Sequence, residues 1–199
     1  MGELILLRHG QTEWSQAGKH TGRTDVPLTA RGEAAAAKLA PQLAGRHIQA
    51  VFTSPAKRAV RTAELAGLTG GTADPDLWEW DYGGYEGRTT AEIQQERPGW
   101  YLWRDGVIPG DAEHPGESIA QVGARADVVL NRVCPLLAGH DGDVVLVAHG
   151  HVLRVLTARW LGLEPAAGRL FKLDTGTVST LGTEHDEPVI DSWNVPPGA

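Results

Sequence analysis

Two short apolar runs each end in a histidine followed by a glycine. Leu4-Ile5-Leu6-Leu7 leads into Arg8-His9-Gly10, and Val144-Val145-Leu146-Val147-Ala148 leads into His149-Gly150. Runs of this length and aliphatic composition read as buried strands, and the ends of such strands are where an α/β sheet carries its chemistry. Placement, rather than the number of His-Gly pairs, gives the pattern its weight. Two imidazoles at one sheet edge, with Arg8 beside the first, suit a phosphate. A neutral imidazole nitrogen can attack phosphorus if cations grip the phosphoryl oxygens and an acid protonates the leaving oxygen. Arg58 follows Ser54-Pro55, an N-cap and first-position pair that opens a helix. It adds a cation, and the amino end of its helix attracts anions.

The elements that must position these groups are legible between them. Gln11 to Val26, rich in Gly, Thr and Ser, reads as an ordered loop that starts at the first His-Gly and wraps the site. Thr29 caps an alanine-rich helix running to about Gly45, and Ala50-Val51-Phe52-Thr53 is a second strand. From Asp74 to Gly116 the alternation breaks. Trp78, Trp80, Trp100 and Trp103 mix with glycines and prolines around one short helix, Thr90 to Glu96, which Pro98 ends. The part from about 78 to 116 is an insertion over the site. A long helix from about Glu117 to Leu137, the strand ending at Ala148, a helix from His151 to Leu161 and a last strand near Thr177 to Gly182 complete the pattern. The expected fold is α/β, one domain over 1–199 with a mainly parallel sheet covered by helices on both faces. The proline-containing tail after Glu184 reads as loose.

Composition narrows the classes of function. A chain of 199 residues with a formal net charge of −7 does not carry the broad basic face that nucleic acids or anionic membranes need, so any basic site is a local pocket. Cys134 is the only cysteine. That excludes an internal disulfide and a cysteine-based metal cluster, and its place in an apolar-periodic stretch reads as core packing. His20 and His151 show no metal-ligand spacing. No metal or cofactor is expected. The first apolar run is too short for a signal peptide or membrane span, so a soluble cytoplasmic protein is expected, and a homo-oligomer is compatible with the sequence.

The blocks Leu7 to Ser15, Thr21 to Thr29, Phe52 to Pro55 with Lys57-Arg58-Ala59, Glu79 to Gly87, Gly116-Glu117-Ser118 and Val147 to His151, in this order, resemble the histidine phosphatase superfamily, the phosphoglycerate mutase-like proteins. The resemblance spans Leu4 to about Leu181. It implies that His9 is a nucleophile that becomes phosphorylated, that Arg8, Arg58 and His149 bind the phosphoryl group, and that Glu79 protonates the leaving group. Asp81 and Glu86 are neighbouring alternatives for the acid. Gln11, Ser15, Thr21, Gly22, Tyr82 and Gly150 fall where the family lines its pocket, and each serves equally well as loop scaffolding. Trp103-Arg104-Asp105-Gly106 resembles the branch with sugar bisphosphatases and bacterial broad-specificity acid phosphatases. Arg104 is thus a candidate for a second phosphate or a carboxylate, with pairing to Asp105 an equal alternative. The expected activity is hydrolysis of a small phosphate monoester, a sugar phosphate or bisphosphate. Mutase-type transfer is disfavoured by the short insertion and tail, which would exclude water incompletely. A non-catalytic phospholigand-binding module is the other alternative.

Overall fold

The computed structural model describes residues 2–139 and 142–198. Strands β1 (Leu4–Arg8), β2 (Ile48–Thr53), β3 (Thr72–Ala73), β4 (Asp143–Ala148), β5 (Val178–Glu184) and β6 (Glu187–Val195) form one sheet in the order β3-β2-β4-β1-β5-β6. The first four run parallel, while β5 is antiparallel to both β1 and β6. Leu7 and Arg8 pair with Val147 and Ala148, so both His-Gly turns leave the sheet at the same edge.

Helices α1 (Glu13–Gln16), α2 (Ala30–Ala37), α3 (Ala40–Leu43), α4 (Lys57–Leu65), α5 (Thr90–Glu96), α6 (Leu102–Asp105), α7 (Ile119–Ala138) and α8 (Gly150–Trp160) connect and cover the strands. The two faces bury alternate residues, as a pleated strand requires. Leu4, Leu6, Val144 and Leu146 pack with Val122, Val129, Val133, Val152 and Leu156 of α7 and α8. Ile5, Leu7, Val145 and Val147 pack with Leu39, Leu43, Ala59 and Ala63 from the opposite side. Among the described residues no helix is long and apolar enough to cross a membrane.

Four local expectations need correction. The helix expected from Thr29 to Gly45 is two helices, because Pro41 at the start of α3 cannot donate to the preceding turn. The helix expected to begin at Ser54-Pro55 begins at Lys57, capped by Ala56 without a side-chain bond, and Ser54 is used elsewhere. The tail read as loose is the edge strand β6. It is joined to β5 by a two-residue turn at His185 (φ 50°) and Asp186 (φ 67°), and Pro188 is tolerated at an edge. Cys134 is exposed rather than core, lying beyond the buried stripe Val122-Ala126-Val129-Val133-Leu137 of α7.

Two glycines set the distance between the first His-Gly turn and α2. A Cβ on Gly32 would stand 2.1 Å from the Gln11 carbonyl oxygen, and one on Gly10 would stand 2.7 Å from that of Gly32. The segment 78–116 contributes α5 and α6 and no strand of the sheet.

Candidate active site

His9 follows β1 on a backbone fixed from both sides. Its N–H donates to the Ala148 carbonyl at 3.0 Å, and its own carbonyl accepts from Gly176 N at 3.0 Å. Its Nδ1 lies 2.7 Å from the Gly10 carbonyl oxygen. A carbonyl only accepts, so Nδ1 carries the hydrogen and Nε2 keeps its lone pair. Burial, then the charges of Arg58 and Arg8, hold the ring's pKa well below the usual value, so it stays neutral.

His149 has the opposite tautomer. Its Nδ1 lies 3.2 Å from Arg58 Nε, which only donates, so its Nε2 carries the hydrogen and donates to Ser54 Oγ at 2.7 Å. The two rings meet edge to face with centroids 5.1 Å apart. Burial and the same two arginines keep His149 neutral as well.

Arg58 is wholly buried. It donates to the carbonyls of Thr24 (2.8 Å) and Gly22 (2.9 Å) besides His149, clamping the loop at Thr21–Thr24. Glu86 holds that loop from the other side through Gly22 N and Thr24 N. Arg8 donates from Nη1 to the Leu173 carbonyl, and its buried Nε–H has no partner among the described residues. A buried unpartnered donor is costly unless an anion accepts from it. Gly150 makes the room, since a Cβ there would stand 3.1 Å from Arg8 Cζ. Burial lowers the pKa of both arginines and Glu79 raises it; a guanidinium stays charged.

The Glu79 carboxylate sits at the amino end of α8. It accepts from Trp80 N and Val152 N on Oε1 and from His151 N on Oε2, all at 2.9 Å. Its backbone is carried by Arg125 of α7, which donates to the carbonyls of Asp76, Trp78 and Glu79 and pairs with Glu117. Tyr82 Oη lies 2.6 Å from His151 Nδ1. Burial, then Glu79 and Glu86, raise the phenol's pKa well above its usual value, so it stays protonated and donates to that nitrogen. Arg8, His9, Glu79, Tyr82, His20 and His151 surround one cavity of about 260 Å³. Among the described residues no three His, Cys, Asp or Glu side chains group as metal ligands.

Residues 4–196 match the histidine phosphatase superfamily (branch 1). The chain belongs to that superfamily. This histidine phosphatase is 42% identical over 185 residues to an acid phosphatase of Mycobacterium tuberculosis, covering 92% of this chain and 87% of the relative. It is 36% identical over 189 residues to sedoheptulose 1,7-bisphosphatase of Saccharomyces cerevisiae, covering 80% and 67%. A solved structure of an open reading frame from Mycobacterium tuberculosis superposes with a TM-score of 0.89 at 38% identity, over 98% of both chains.

The cavity of this histidine phosphatase brings together Arg8, His9, Ser15, Thr21, Glu79 and Tyr82 of the residues nominated from sequence. Arg58, His149, Gly22 and Gly150 stand behind that lining, as partners of the loop, of Ser54 and of Arg8. Gln11 takes a hydrogen bond from Thr29 at the cap of α2. Arg104 is not at the cavity. It is exposed, pairs with Asp105 at 2.8 Å, and borders a separate cleft with Pro115 to Ile119. Of the acids left open by sequence, Asp81 accepts from Gly83 N and Gly116 N, and Glu86 holds the Gly22 loop, so Glu79 alone faces the cavity. Sequence reasoning missed Lys19, Trp100 and Tyr101 in the lining, and Arg125 behind Glu79. Arg125 pairs with Glu117, which lies just before the N-cap of α7 and eight positions away, so no i,i+4 helical spacing announces the pair.

His9 and His149 are buried and His151 is half-buried, and all three are held well below their usual pKa, with desolvation the first cause. Below about pH 6.5 the unfolded chain takes up protons that these rings refuse, so stability rises with pH there. We expect the free energy of urea unfolding to fall by about 1 kcal/mol, for each ring that stays neutral in the fold, between roughly pH 6.5 and 5.5. Equal unfolding free energies at about pH 7.5 and 5.5 would mean that the rings protonate within the fold.

Proposed function

We propose that this enzyme hydrolyses small phosphate monoesters, sugar phosphates and bisphosphates among them, through a phosphohistidine on His9. The observation that carries this reading is the hydrogen bond from His9 Nδ1 to the Gly10 carbonyl, which leaves Nε2 unprotonated on a ring that lines the same cavity as Arg8. Nε2 forms a bond to phosphorus as the ester P–O bond breaks, and the leaving oxygen takes a proton from Glu79. Arg8 and Arg58 offset the charge on the phosphoryl oxygens. A water then attacks phosphorus as the Nε2–P bond breaks, and gives a proton to the Glu79 carboxylate. Inorganic phosphate leaves, and both neutral His9 and protonated Glu79 are restored. The acid phosphatase and bisphosphatase relatives support the hydrolytic outcome.

Quenching the enzyme within milliseconds of adding a ³²P-labelled ester should trap protein-bound label that is labile to acid and stable to base. With excess chelator present, trapping and phosphate release should both persist, since two arginines supply the charge neutralisation. Base-labile label, or release without any label, would overturn the reading. Recovery of the label in an isomeric phosphate ester instead of inorganic phosphate would mark a mutase.

A further inference from the structure

We infer that Lys19 binds a second anionic group, a phosphate or a carboxylate, carried on the same small carbon skeleton as the phosphate that is cleaved. The inference rests on the reading of His9 and Glu79 given above. Of the residues lining the cavity, Arg8 and Lys19 are the cations and Glu79 is the sole acid. Glu79 is taken up by three backbone N–H groups beside Arg8 and His9. The half-buried Lys19 ammonium has no hydrogen bond or ion pair with any described residue, and it rests 5.5 Å from the centroid of the Trp14 ring. Glu92, the acid whose carboxylate feels the Lys19 charge, spends Oε2 on Thr89 N and Oγ1 in the cap of α5.

The other cations around the insertion are already committed. Arg88 pairs with Glu96, Arg104 pairs with Asp105, Arg97 donates to Tyr85 Oη, and Arg154 lies over Trp103 while donating to the Gly168 carbonyl. The backbone that presents Lys19 is fixed. Its N–H donates to the Trp14 carbonyl at 2.9 Å, and the residue bridges to Thr89. Next to it, His20 N donates to the Arg88 carbonyl, and Gly87 N donates to the carbonyl of His20. A preorganised ammonium facing a cavity that holds one committed carboxylate is arranged for an anion from outside. The cavity of about 260 Å³ suits a small skeleton such as that of a sugar phosphate. The His20 Nδ1 hydrogen goes to the Arg88 carbonyl, so His20 Nε2 is an acceptor for a hydroxyl on that skeleton.

The test uses matched pairs that differ in the second anion alone: 3-phosphoglycerate against glycerol 3-phosphate, and fructose 1,6-bisphosphate against fructose 6-phosphate. Wild-type enzyme should prefer the member that carries the second anionic group in at least one pair, read in kcat/KM. In Lys19→Met that preference should collapse on the order of tenfold to a hundredfold, the size of one charge-assisted hydrogen bond, with the change mainly in KM. Lys19→Arg should retain it. Response in the first pair identifies a carboxylate and in the second a phosphate. Absence of any preference in the wild type, or equal losses for both members of each pair in Lys19→Met, would overturn the inference and leave Lys19 a cover for Trp14. Neither result touches the phosphohistidine reading, which fails only on the trapping experiment.

Discussion

His9→Ala is expected to lower turnover on the order of 10⁵-fold or more, the scale seen when a covalent nucleophile is removed, and to abolish acid-labile label at the same time. No neighbour can take over. His149 is the nearest imidazole, yet one of its nitrogens accepts from Arg58 and the other donates to Ser54, so it has no free lone pair to offer. Thermal unfolding should show that the fold survives, because the bonds that hold residue 9 in place are backbone bonds to Ala148 and Gly176, which alanine keeps. The ring borders the cavity, so its loss enlarges a polar, accessible space rather than opening a sealed hole in the core. Acid-labile label that persists in His9→Ala would assign the nucleophile elsewhere.

Glu79→Gln should slow phosphorylation of the enzyme by an alkyl phosphate on the order of 10²-fold or more, within the range of general acid catalysis. An aryl phosphate with a good leaving group needs less protonation and should lose much less. The ratio matters more than either rate. An amide can still accept from Trp80 N and Val152 N, but its NH₂ would face His151 N–H, setting donor against donor. The resulting displacement of α8 would slow both substrates alike, whereas loss of a proton donor separates them. Single-turnover phosphorylation is the step to compare, because the same carboxylate activates water in the second half of the reaction. Equal losses for the two substrates in that step would remove the acid role from Glu79.

The parts of this enzyme legible in sequence were those set by short stretches of chain. His9 and His149 stood out because strand length and composition announce a sheet edge, and β1 and β4 pair in register so that both turns leave it together. Glu79 was legible only through resemblance, since no local pattern shows that residue 79 folds back onto the start of a helix seventy residues later in the chain. Arg58 was read as a cation for phosphate. Its service to the carbonyls of Gly22 and Thr24 depends on a loop whose shape has no periodic signal. Arg104 shows the reverse. The short α6 turns it outward beside its own neighbour, so the local ion pair prevailed over the site. In β6, Pro188 argued locally against a strand, and pairing with β5 prevailed over that preference because an edge strand does not need every N–H.

The first turn of α8 is where several parts of the site are registered against one another. His149 is its N-cap residue, Gly150 lies against Arg8, and the N–H groups of His151 and Val152 meet the two oxygens of Glu79. The separation between the proposed phosphate-binding side and the proposed acid is therefore written in peptide geometry, with rotamers contributing little. A jig of this kind has a narrow tolerance. Side chains that drift independently would spread the attack distance, whereas groups carried on one helical turn move as a body and keep their spacing when the surrounding loops fluctuate. The distances on which bond breaking depends are thus held by this one turn, independently of Trp100 and Tyr101 elsewhere in the lining.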